Sequence, residues 1–294
     1  MKRGLFSLAL SGLALVTVQV ASNAGCAGGT GSARFEFDAR IAGPVDAPSN
    51  GGPLVFTNER GFAVTLTRAT VTLGPVYLNV VAPLRGDTFG FLHLFEGTAF
   101  AAGEDHLGEG RVVGEVLGQV TFDALSAQWA PFPVRGTIVD ETVRTTDLWF
   151  YPAPGVSPDT TKIDTVALDV AGSAEKDGAR VPFRGKLVLD DAWLPDATAG
   201  QRAKQSIAQI RKVRGVSSGF RPTEGGTLEI RFDVRRLFRG ADFSNLGPNP
   251  TDKDGTKVLV QAKTGKVTTD QVMTNLYQGL RDATGTYSIA WRPR

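Results

Sequence analysis

Arg34-Phe35-Glu36-Phe37-Asp38-Ala39-Arg40-Ile41 alternates polar and apolar side chains with a period of two. Only an extended chain sends such a series to two opposite faces, so this run reads as a half-buried strand. The pattern recurs down the chain. Phe62, Val64 and Leu66 share one face, and Val71 and Leu73 continue it after a change of register. Gly74-Pro75 interrupts this run and Val76 to Val81 resumes it. Val112 to Phe122, Val134 to Val139, Thr145 to Tyr151, Thr165 to Ala171, Val181 to Leu189, Thr227 to Val234 and Tyr287 to Trp291 read as further strands, bounded by Gly, Pro, Asp or Asn. Asp177-Gly178 between two such runs marks a hairpin turn, and Pro222 to Gly226 marks a second hairpin turn before Thr227-Leu228-Glu229-Ile230.

Helical periodicity is confined to two places. Ala199 to Arg214 spaces Ala203, Ile207, Ile210 and Val213 as one helix face, with Gly215 as its stop. Thr268 to Ala283 does the same with Val272, Leu276, Tyr277 and Leu280, with Thr268 or Thr269 as cap. Many short strands, two short helices and no βαβ alternation predict a mainly β protein, an antiparallel β-sandwich. No linker or repeat divides it, so residues 34–294 are expected to form one domain.

The N-terminal stretch is of another kind. Lys2 and Arg3 precede an uncharged run, Leu5 to Val20, and small residues follow it up to Cys26, the only cysteine. That order is how an export signal reads. The uncharged run is shorter than the roughly 20 residues a spanning helix needs. Asn23-Ala24-Gly25-Cys26 resembles the lipobox of bacterial lipoprotein precursors: Ala24 and Gly25 fill the two small positions, and Asn23 stands where an aliphatic residue is usual. The resemblance implies that Cys26 receives a diacylglyceryl group, that the chain is cut before it, and that the new amine is acylated. Residues 1–25 are then a signal peptide, and 26–33 a lipidated cysteine with a Gly-rich flexible tether. Ala27, in place of an acidic residue, implies sorting to the outer membrane, with the domain facing the periplasm or the exterior. The alternative is cleavage after Ala24 and a soluble exported protein. The region beyond resembles uncharacterised bacterial envelope lipoproteins, through Gly61-Phe62-Ala63-Val64-Thr65-Leu66, Gly74-Pro75-Val76-Tyr77-Leu78 and Asn275-Leu276-Tyr277-Gln278-Gly279-Leu280.

Removal of residues 1–25 leaves 269 residues, enough for a real core, and with one cysteine no intramolecular disulfide can support it. The whole chain carries 32 basic and 30 acidic residues; Lys2 and Arg3 belong to the signal, so the remainder is formally neutral. Such a balance gives no reason to expect a nucleic-acid partner.

Chemistry-bearing residues cluster in one segment. Both histidines, His93 and His106, fall between residues 87 and 123 among seven carboxylates, with Arg111 the single basic residue there. Imidazole with carboxylate suits a divalent transition metal, and His93, Asp105, His106 and Glu109 are the candidate ligands. No compact His-x-His or His-x3-His pair is present, so the segment reads equally as a polar surface loop. A basic face is expected on the first helix from Arg202, Lys204, Arg211, Lys212 and Arg214, suited to anionic headgroups or an acidic partner, or else to a solvated surface. Trp129, Trp149, Trp193 and Trp291 could make a sugar platform or lie in the core. Gly215-Val216-Ser217-Ser218-Gly219 has the letters of a nucleophile elbow, but a basic helix precedes it and both histidines lie upstream, so it reads as a turn. Asp252-Lys253-Asp254-Gly255 matches part of a calcium loop, yet Gln261 stands where a bidentate Glu is needed, and a hairpin turn is expected.

These features lead to a lipid-anchored envelope protein with a non-enzymatic binding or structural role and no catalytic residues or resident cofactor, whose partners are the membrane and an envelope protein or glycan. The alternative is an envelope hydrolase that uses carboxylates or a bound metal in segment 87–123.

Overall fold

A computed structural model of the chain describes residues 33–81, 111–150, 166–190, 193, 210–261 and 270–294. Within them the chain is mainly β. The strands are β1 (Arg34–Ala42), β2 (Leu54–Thr57), β3 (Ala63–Leu73), β4 (Val76–Asn79), β5 (Val112–Val116), β6 (Val120–Asp123), β7 (Ala130–Pro131), β8 (Gly136–Val139), β9 (Val143–Trp149), β10 (Val166–Lys176), β11 (Ala179–Val188), β12 (Lys212–Phe220), β13 (Gly226–Phe232), β14 (Lys257–Val258) and β15 (Tyr287–Pro293). One α-helix, α1 (Gln271–Arg281), and two 3-10 turns, Val234–Phe238 and Phe243–Asn245, complete the described elements.

Two sheets share these strands. The larger runs β12-β9-β4-β5-β8-β1-β13-β15, with β7 also on β1. Its two end strands lie against each other, and Phe220 of β12 stacks on Trp291 of β15 with ring centroids 5.3 Å apart and planes 9° from parallel. The sheet therefore comes close to a barrel, closed along one seam by side chains. The smaller sheet runs β14-β11-β10-β3-β2, with β6 on β3. A single apolar core spans both, from Phe37, Leu78, Leu148 and Ile230 in one to Leu66, Val71, Leu168 and Phe183 in the other.

The chain passes between the sheets at two corners. β3 leads through the cis Gly74-Pro75 peptide into β4, and β5 leads through residues 117–119 into β6. The expected single strand 112–122 is thus two strands in different sheets, broken at Gly118. Gly74 has φ +130°, and a Cβ there would sit 2.2 Å from the Gly118 carbonyl oxygen. The corners pack backbone to backbone, an approach only glycine permits.

Other expectations are met locally. Asp177 (φ 54°) and Gly178 (φ 76°) form the two-residue turn between β10 and β11. That is the type I′ geometry whose twist matches the flanking strands. The register change in β3 is a bulge. Arg68 pairs with Ala171 and Leu66 with Gly172, so Thr67 is the extra residue. Val64, Leu66, Ala69, Val71 and Leu73 therefore all face inward, fully buried. In α1, Val272, Met273, Leu276 and Leu280 are fully buried, each such side chain contributing about 2 kcal/mol of transfer free energy. Its cap is Asp270, whose carboxylate accepts the Met273 N–H at 2.6 Å. Thr268 and Thr269 lie outside the described residues.

Three expectations change. The sheets are mixed, because β1 pairs with β13, and β11 with β14, in parallel. Residues 212–214 of the expected first helix are the start of β12, antiparallel to β9; residues 199–209 lie outside the described part. Residues 221–225 do not close a hairpin: they carry the chain from β12 to β13, which are not hydrogen-bonded neighbours.

Candidate functional site

Cys26, His93, Asp105, His106, Glu109, Arg202 and Lys204 lie outside the described residues. Among the described residues, no group of three or more His, Cys, Asp or Glu side chains is placed to hold a metal ion. Of the expected basic face, Arg214 is exposed, but Arg211 and Lys212 are only 2% and 4% exposed. Arg211 Nε donates to the Leu189 carbonyl at 2.7 Å. Lys212 Nζ lies 3.1 Å from Asp147 Oδ2, and 5.0 Å above the Trp149 ring. These two cations belong to the interior and present no face to a partner.

The Lys212–Asp147 pair sits on the face of β12, β9 and β4 that points away from the barrel core. Asp147 is cross-strand from Tyr77, which is cross-strand from Glu115. Asp147 Oδ1 also accepts the Gly215 N–H at 2.9 Å. Tyr77 packs edge-on to Trp149, with centroids 6.4 Å apart. Burial, aided by the negative charge of Glu115, pushes the Tyr77 hydroxyl above its usual range. A tyrosine so held stays protonated and serves as a hydrogen-bonding group at neutral pH.

A second cluster spans β1, β13 and β15 on the outer face of the larger sheet. Parallel pairing sets Arg40 opposite Glu229, and Arg292 is opposite Thr227, two residues back along β13. Glu229 is 8% exposed. Arg40 Nη2 donates to Glu229 Oε1, and Arg292 Nε donates to Oε2 at 3.1 Å. Burial raises the Glu229 carboxyl, but the hydrogen bonds and charges of Arg40 and Arg292 outweigh it, leaving the group below the usual carboxylate range. Trp129 lies between two guanidiniums, Arg231 at 3.8 Å from its ring centroid and Arg40 at 4.8 Å. Arg231 also donates to the carbonyls of Gly43 and Ala127, and burial lowers its pKa. The carboxylate is ionised at neutral pH, with both oxygens taken by guanidiniums. It has no proton to donate and is poorly placed to ligate a cation.

The remaining sequence motifs resolve into structure. Gly215 to Gly219 is irregular strand, not an elbow, and Ser218 shares a 2.7 Å hydrogen bond with Thr146 inside the barrel. Residues 252–256 form a turn closed by Asp252 N–H to Thr256 O at 2.8 Å, as expected. Its carboxylates are engaged: Asp252 binds Arg184, and Asp254 accepts the Thr256 N–H. The four tryptophans do not share a platform. Trp129 stacks with arginines, Trp149 meets Tyr77, Trp193 stacks on Tyr277 at 4.1 Å, and Trp291 stacks on Phe220.

One open cleft of about 430 Å³ lies between α1 and the turn Val234–Phe238, lined among others by Glu59, Arg236, Arg239, Asn275, Gln278 and Asp282. Glu59 and Arg239 pair across it at 2.5 Å. Its lining residues are polar, charged or glycine, without the hydrophobic and aromatic side chains typical of small-molecule sites.

Sequence reading missed both charged clusters. Arg40 and Glu229 stood out only as outward positions of two alternating strands; the register that joins them is a long-range, parallel pairing with no local signature. Comparison with protein-family models, with curated proteins and with solved structures finds no match to this chain.

Proposed function

We propose that the chain is a lipid-anchored protein of the cell envelope, cut before Cys26, whose β-rich region acts by binding or as a structural element and not by catalysis. The observation that carries this reading is Ala24-Gly25-Cys26 placed directly behind the uncharged run Leu5 to Val20. Small residues suit the peptidase pocket, and the thiol is the acceptor for the diacylglyceryl group. The state of the described charged groups supports the non-catalytic part. Glu229 is clamped by two arginines, Lys212 is paired with Asp147, and Arg235 bridges Asp233 and Asp46. These paired charges hold strands and turns together. The partners of this reading are the outer membrane, through the lipid, and an envelope protein or glycan.

Mass spectrometry of the mature N-terminus tests it. A triacylated Cys26 is expected, with Cys26→Ser releasing the protein from the membrane fraction. An unmodified peptide that begins at Gly25 overturns the anchor.

A further inference from the structure

The strand registers bring eight strand termini to one end of the larger sheet: the starts of β1, β5, β9 and β13 and the ends of β4, β8, β12 and β15. Inside that end sit aromatic rings. Phe37 meets Trp291 edge-on at 5.4 Å, Trp291 stacks on Phe220, and Phe35, two residues before Phe37 on the same strand face, packs against the apolar core. Phe37 is fully buried, whereas Phe35, Phe220 and Trp291 are each only partly covered. Around them lie exposed guanidiniums: Arg34 opens β1, Arg144 is second in β9, Arg221 follows β12, and Arg294 follows β15. Arg221 is tied to Asp140 and Arg294 to Asp38, while Arg34 donates to the Thr137 hydroxyl.

We propose that this end of the barrel is a membrane-docking surface: the aromatic plug rests at the level of the lipid headgroups, and the arginines around it meet their phosphates. Aromatic rings enriched at the water–lipid boundary, with cations drawn to anionic lipid, are the chemistry of interfacial contact. This inference rests on the proposed anchor. Seven residues lie between Cys26 and Arg34, the start of β1, and these eight Cα–Cα steps reach at most about 29 Å when extended. The opposite end of β1, at Ala42, lies a further 26 Å or so along the strand, at about 3.3 Å per residue. The tether therefore delivers the Arg34 end to the bilayer first.

The test uses the full-length protein purified from membranes and reconstituted into vesicles whose acyl chains are brominated near the headgroup. One set contains phosphatidylethanolamine with phosphatidylglycerol, the other phosphatidylcholine alone. Tryptophan quenching that disappears in Trp291→Phe, and that is stronger in the anionic vesicles, is expected. Replacing Arg34, Arg144 and Arg221 by Gln should weaken that quenching, with docking about fivefold less favourable per arginine removed. Hydrogen exchange of residues 34–37 and 291–294 gives an independent readout should Trp291→Phe fold poorly; slower exchange in the anionic set is expected. Mass spectrometry of the same sample reports on Cys26. A chain without acyl groups overturns the anchor. An acylated chain overturns docking alone if Trp291 quenching and exchange match between the two lipid sets, or if quenching is absent in both.

Discussion

Lys212 and Asp147 form an ion pair of 3.1 Å between β12 and β9, with their side chains 4% and 7% exposed. Each charge is tolerable only because the other is there. Removing one partner leaves an uncompensated buried charge, which costs about 3–5 kcal/mol. Lys212→Met is therefore expected to lower the urea midpoint strongly. Adding Asp147→Asn to Lys212→Met removes the stranded charge and retains an acceptor for the Gly215 N–H, so most of the loss should return. Equilibrium denaturation of the two variants and the parent checks this. A double variant no more stable than the single one would show that the pair is not the unit.

Glu229 ties acid stability to the junction of β1, β13 and β15. Its folded pKa lies below its unfolded value, so the stability it contributes is fully present above about pH 4.3, the ordinary glutamate value. That stability is lost as pH falls below this value toward the folded pKa. Glu229→Gln should cost about 2 kcal/mol at pH 7, the scale of hydrogen bonds to charged groups. The gap between variant and parent should be smaller at pH 3 than at pH 7. Urea unfolding at both pH values measures it; a gap independent of pH would mean that the carboxylate charge is not what Arg40 and Arg292 recognise.

The second reading of function, a hydrolase or metal-dependent protein, places its chemistry in segment 87–123, because both histidines of the chain fall there. A cation on His93, Asp105 and His106, with Glu109 beside them, requires neutral imidazole. Affinity for zinc or copper should then fall as pH drops through about 6.5. Elemental analysis of untagged protein, with thermal shift on added zinc for the parent and His106→Ala, decides between the readings. Less than a tenth of an equivalent of metal and no shift would leave the binding or structural reading standing.

Elements whose pattern is local were legible in the sequence. β1, the Asp177-Gly178 hairpin, the bulge in β3 and α1 follow from alternation, turn chemistry and helical spacing within a few residues. β12 was not legible, for a reason visible in two side chains. Arg211 and Lys212 look like the solvent side of a helix that buries Ile207, Ile210 and Val213. In the fold both are interior, held by the Leu189 carbonyl and by Asp147, residues 22 and 65 positions away. Contacts of that range override local spacing. The parallel pairing of β1 with β13 was equally hidden, because their partner positions are 189 residues apart. The sequence-expected metal ligands fall outside the described residues, whereas the clusters around Glu229 and Asp147 exist only once distant strands are brought into register.

The seam between β12 and β15 bears on how copies of this protein tolerate crowding. Proteins confined to a surface meet one another side-on at high local concentration, and a long exposed strand margin would let neighbours zip together into fibres. Here the two end strands of the larger sheet turn toward each other, and Phe220 on Trp291 keeps them engaged. The end strands of the smaller sheet are β2, four residues long, and β14, two residues long. Among the described residues, the two end strands of the larger sheet are thus occupied with each other rather than with a neighbouring molecule.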